Sequence, residues 1–158
     1  MTAKLVDLWP EDISTDVLSP QAILKFQAAQ LEKRTKGILR GRVEEQVSEG
    51  NRTLILVAEA PAVSITGELL RVVSGVERAY PATVYGPGMR HEVPVKVPGP
   101  LVALTGGTMT KEYKVASGES QLIELVREVL ASDETRSTLD SLIALSNEAN
   151  SASQTATQ

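Results

Sequence analysis

The spacing of apolar residues changes at Gly37, and that change constrains the fold more than any other feature of the 158-residue chain. Before it, Ile23, Leu24, Ala28 and Leu31 fall on one arc at helical spacing. After it, Leu39, Gly41, Val43 and Val47 alternate with Arg40, Arg42, Glu44 and Gln46, the period of a strand with one wet face. A helix therefore feeds directly into a sheet. Ser19-Pro20 marks its start, with Ser19 as N-cap and Pro20 at the first helical position. Lys33, Arg34 and Lys36 suit the negative end of the helix dipole, and Gly37 supplies a left-handed residue to close it. Ahead of the helix, residues 5–17 read as an extended arm or single turn pinned by Trp9, with acids at Asp7, Glu11, Asp12 and Asp16.

Strand signals continue downstream. Ser48-Glu49-Gly50-Asn51 is turn chemistry. Residues 53–58 are apolar on both faces, which predicts a central strand covered on both sides or a sheet folded against itself, ended by Pro61. Residues 69–73 and 79–85 read as two more strands around a turn at 75–78, with Pro81 pushing the second toward an edge or a bulge. Residues 86–100 hold four prolines and three glycines. Proline removes ladder donors, so this stretch is expected to be a surface excursion, and long irregular loops are often functional. Gly106-Gly107 between residues 101–105 and 108–115 is a hairpin signal.

Two helices should follow. Ser117 is the expected cap of the first, whose apolar face is Leu122, Ile123, Val126, Val129 and Leu130. Ser132 starts the second, with Asp133 and Glu134 at its positive end and a stripe of Leu139, Leu142 and Ile143. The expectation is one α+β domain over residues 1–148: an N-terminal helix, an antiparallel sheet of five to six short strands, and two C-terminal helices. Residues 149–158, rich in Ser, Ala, Thr and Gln, are expected to be a disordered polar tail.

Residues 7–13 (DLWPEDI), 19–39 (SPQAILKFQAAQLEKRTKGIL) and 124–146 (ELVREVLASDETRSTLDSLIALS) resemble segments of a set of small bacterial proteins. The resemblance implies a bacterial cytosolic setting and the same helix–sheet–helix order, and it brings no activity with it. The middle departs from it: an aromatic-rich sheet is expected there, and residues 65–76 contain no aromatic side chain.

Composition narrows the chemistry. With no cysteine, thiolate metal sites, iron–sulfur clusters, disulfides and cysteine nucleophiles are excluded. A single histidine, His91, removes multi-histidine metal sites, and any triad would have to use it. Thr105-Gly106-Gly107-Thr108 lacks the lysine and following helix of a phosphate loop. Glu44 and Glu45 point to opposite faces of a strand and cannot pair for acid–base work. Glu59, at the end of the apolar strand, needs a partner, for which Arg40, Arg42 and Arg71 are candidates. Neither catalytic nor metal-binding residues, nor a cofactor, are assigned.

The densest charge feature is Lys33, Arg34, Lys36, Arg40 and Arg42. Dipole compensation and a wet sheet face explain part of it, and a docking patch for an acidic partner is the functional reading. The net charge of −4 and the scattered aromatics (Trp9, Phe26, Tyr80, Tyr85, Tyr113) argue against nucleic acid. Residues 1–10 carry no apolar run of the secretory kind, and no stretch is long enough to span a membrane, so a cytoplasmic location is expected. The favoured expectation is a non-catalytic protein-binding domain, an immunity- or antitoxin-like inhibitor or an accessory subunit of a complex. The alternatives are a ligand-binding or enzymatic domain with a helix–sheet pocket near Glu59, Tyr80, Tyr85 and His91, and an assembly subunit of a phage-like or defence complex.

Overall fold

The computed structural model describes residues 6–87 and 113–155. Helix α1 (Pro20–Arg34) leads into strands β1 (Arg40–Ser48), β2 (Asn51–Ala60), β3 (Ile65–Gly75), β4 (Ala82–Tyr85) and β5 (Lys114–Ala116), followed by helices α2 (Glu119–Leu130) and α3 (Asp133–Thr155). The five strands form one antiparallel sheet in sequence order. The fold is α+β, in the expected order of elements.

Local chemistry explains most boundaries. Ser19 Oγ accepts from the Ala22 N–H at 3.2 Å, with Pro20 at the first helical position. Two left-handed residues, Lys36 and Gly37, turn the chain out of α1, and the Gly37 N–H closes back on the Glu32 carbonyl at 2.9 Å. Glu49 and Gly50, both at positive φ, make the two-residue hairpin turn between β1 and β2. Strand β4 begins only after Pro81, and β3 starts four residues earlier than its apolar run, at Ile65.

The three described helices cover one face of the sheet. On β1 the residues of Gly41 parity face α1; on β2 Leu54, Leu56, Ala58 and Ala60 join Ile23, Leu24, Leu122, Val126 and Leu142 in one core. Close approach depends on small residues. A Cβ on Gly41 would lie 2.5 Å from Ala28 Cα, and one on Gly67 would lie 2.8 Å from Thr138 Cγ2. These two glycines let α1 and α3 settle on the sheet.

The opposite face accounts for the doubly apolar β2. Ile55 stands in register between Glu44 and Arg71, and Val57 between Arg42 and Glu68. The flanking charges pair along their own strands: Arg42 with Glu44 at 2.8 Å, and Arg71 Nη2 with Glu68 Oε2 at 2.8 Å. Their aliphatic stems wall in the two central side chains, which are only 4% and 5% exposed. Within the described residues this face is thus covered by charged side chains and not by a second layer.

Three expectations need correction. Trp9 does not pin the arm, because it is 78% exposed and Leu8 beside it 91%. The arm's base is held instead by the Leu18 backbone, whose N–H donates to Glu119 Oε2 (3.1 Å) and whose carbonyl accepts from the Tyr80 hydroxyl (2.9 Å). The N-cap of α2 is Gly118, one residue later than expected, because the Gln121 side chain reaches back to the Ser117 N–H (2.8 Å) and hydroxyl (2.6 Å). Finally, α3 runs on to Thr155, into the segment expected to be disordered, with Ser151, Ser153 and Thr155 each donating to the carbonyl four residues back. The proline-rich excursion from residue 88 onward and the Gly106-Gly107 hairpin lie outside the described residues.

Candidate functional site

One concavity among the described residues follows from where the helices land. Helix α1 packs over β1 and β2, α2 over β3 to β5, and α3 over β2 and β3, so α1 and α2 meet over only a short stretch. Between them the described residues leave the sheet uncovered as a cleft of about 420 Å3. Its floor is Leu56 of β2 and Leu69 of β3, both buried. One wall is a face of α1 carrying Ile23, Gln27, Gln30, Leu31 and Arg34; the other is a face of α2 carrying Ile123, Val126, Arg127 and Leu130, with Leu139 of α3 closing the end.

The polar groups stand at the top of this apolar trough. Gln27, Gln30 and Arg34 follow one another at helical spacing and share a face of α1. Arg127 faces them from α2 and donates from Nη1 to Glu124 Oε1 at 2.7 Å. Arg34 is exposed and no ion pair engages it among the described residues, so it is the rim cation open to a new partner. Chemically the cleft can desolvate an apolar group and bind a negative one at its lip. No group of three or more His, Asp or Glu side chains is arranged for a metal among the described residues, and no helix there is long and apolar enough to cross a membrane.

The basic segment is split by the fold. Lys33 and Arg34 end α1, and Lys36 stands in the left-handed turn beside them, all exposed. Arg40 and Arg42 share the strand face turned away from α1, since Gly41 between them faces Ala28. Arg42 is committed to Glu44. Only Arg34 of the five lines the cleft.

The residues expected around a pocket also separate. Tyr80 packs against the core and anchors the arm through its hydroxyl. Burial, and after it the charge of Glu119, pushes its phenol above the usual tyrosine value. Tyr85 lies on the charged face opposite Arg71, its ring 6.1 Å from that of Tyr113. Glu59 stands across from Arg40 in register, whereas Arg71 is taken by Glu68, whose hydrogen bond raises the guanidinium above its usual value against the effect of burial. None of these three lines the cleft, and His91 lies outside the described residues.

Sequence reasoning counted Ile23, Leu31, Ile123, Val126 and Leu130 as core and passed over Gln27, Gln30 and Arg127. One signal was present. Gln27 and Gln30 sit on the arc of Ile23 and Leu31, where a helix wholly covered by its neighbours would carry apolar residues. No family model, no curated protein and no solved structure matches the chain.

Proposed function

We propose that this protein is a non-catalytic binding domain that docks an acidic, apolar segment of a protein partner in the cleft between α1 and α2. The observation that carries the reading is the make-up of that cleft: an apolar floor at Leu56 and Leu69 beneath a rim of Gln27, Gln30, Arg34 and Arg127. Grooves of this kind take a few apolar anchors and select among partners by the charges around them. An inhibitor of the immunity or antitoxin type, or an accessory subunit in the cytosol of a bacterium, works in this way, by occupying a partner.

Selection from a displayed peptide library on the dilute, immobilised chain tests the reading. Peptides with paired apolar residues flanked by acids should be enriched, and Arg34→Glu and Ile123→Asp should each remove that enrichment. Equal recovery of basic peptides, or binding indifferent to both variants, would count against it. A second reading rests on size: about 420 Å3 lies within the range of small-molecule pockets, roughly 300–1,000 Å3. A long-chain carboxylate that displaces the selected peptide would favour that reading.

A further inference from the structure

The chain carries a segment with the chemistry that its own cleft selects. Between residues 6 and 18 there are four acids, Asp7, Glu11, Asp12 and Asp16, and no lysine or arginine. The same stretch leaves Leu8 91%, Trp9 78%, Val17 58% and Ile13 54% exposed. Apolar side chains this large are seldom left in water in a row unless they meet a partner surface. Ser14 Oγ donates to Asp16 Oδ1 at 2.7 Å and holds that carboxyl below its usual value.

We propose that the arm of one molecule docks in the cleft of a second copy, Leu8 and Trp9 entering over Leu56 and Leu69 while the arm's acids meet Arg34 and Arg127. This rests on the cleft being the binding surface, and it names the partner. Complementarity runs in both respects: among the described residues nothing covers the acidic, apolar arm, and none of them fills the cleft that Arg34 rims. Within one molecule the arm leaves its base at Leu18, tied to Glu119 and Tyr80, and carries Trp9 into solvent instead of into its own cleft. Two such arms exchanged about a twofold axis close a symmetric dimer and leave no free end to propagate.

Trp9 is the only tryptophan, so its emission reports the arm alone. The test records that emission and the sedimentation mass of the full chain across a concentration series. The expected result is a blue shift that rises in step with dimer mass. Leu8→Asp and Arg34→Glu should each move the midpoint at least ~10-fold higher in concentration, since charges and anchors at such contacts carry effects of this size. Leu8 is exposed, so Leu8→Asp should leave thermal unfolding of the dilute monomer unchanged. Arg34→Glu also puts a negative charge at the C-terminal end of α1 and should lower that midpoint slightly. A chain that stays monomeric at millimolar concentration with solvent-like emission overturns the proposal. So does a blue shift independent of concentration, which would place the arm in its own cleft, and so does a dimer in which Trp9 stays in water. If the chain selects acidic peptides in its cleft but stays monomeric, only self-docking fails. If it does neither, the binding reading fails with it.

Discussion

Gly41 and Gly67 both lie beneath a helix, yet substitution should have different consequences at the two positions. At Gly41 the obstacle to a Cβ is the Ala28 backbone, with Cα at 2.5 Å and the carbonyl carbon at 2.8 Å. Backbone cannot rotate aside, so α1 must lift from β1. At Gly67 the obstacles are side-chain methyl groups of α3, Thr138 Cγ2 at 2.8 Å and Leu142 Cδ1 at 3.3 Å. These yield more readily than backbone, although the Thr138 hydroxyl is bonded to the Glu134 carbonyl. Gly41→Ala should therefore destabilise by about 3 kcal/mol, the upper range for overpacking, and Gly67→Ala by about 1 kcal/mol, the lower. Chemical denaturation of the two variants checks this, and equal losses would contradict the packing described. Gly41 was legible in the sequence as a member of the inward-facing alternation. Its near contact with Ala28 was not, because that depends on how closely two elements approach, which no local pattern encodes.

At the scale of elements, helix starts were the most legible feature, because capping is local chemistry. Ser19-Pro20 behaves as its residue types require, and Ser19→Ala should cost about 1 kcal/mol by leaving the Ala22 N–H without its acceptor. Thermal unfolding reads this as a lowered midpoint, and Ser19→Asp should restore it. Where two groups compete for one terminus, local reading missed by a residue: the Ser117 hydroxyl expected to cap α2 donates to Gln121 Oε1 instead. The doubly apolar β2 was legible as a central strand. What covers its second face was not, since Arg42 and Glu44 read as wet positions in sequence and become a cover, with Glu68 and Arg71, only when β1 and β3 set them beside Ile55 and Val57. The polar composition beyond Asn147 concealed the length of α3, in which hydroxyls bonded along the helix stand in for packing.

For the whole molecule, the order of elements and the α+β layering followed from periodicity, whereas the cleft did not. It exists because α1 lands on β1 and β2 while α2 lands on β3 to β5, a placement set by tertiary packing and not by any local pattern. The base of the arm is tied at Leu18 to Glu119 and to Tyr80, and that tie should be sensitive to alkali. Burial and Glu119 raise the Tyr80 phenol above its unfolded value of about 10. A raised folded value means that its stabilising contribution is complete below the unfolded value and is lost as pH climbs through the folded one. Alkaline unfolding of the native chain should therefore show a Tyr80-dependent loss above about pH 10 that Tyr80→Phe removes. An unchanged alkaline profile in that variant would show that the phenol does not hold the arm.

The most direct measurement of the binding role is backbone-amide NMR mapping of a library-selected acidic peptide on the dilute chain. Docking between α1 and α2 predicts shifts concentrated at Gln27, Gln30, Arg34, Ile123 and Arg127, with Glu44, Arg71 and Thr83 on the far side of the sheet unmoved. Shifts confined to that far face would contradict the cleft as the binding site.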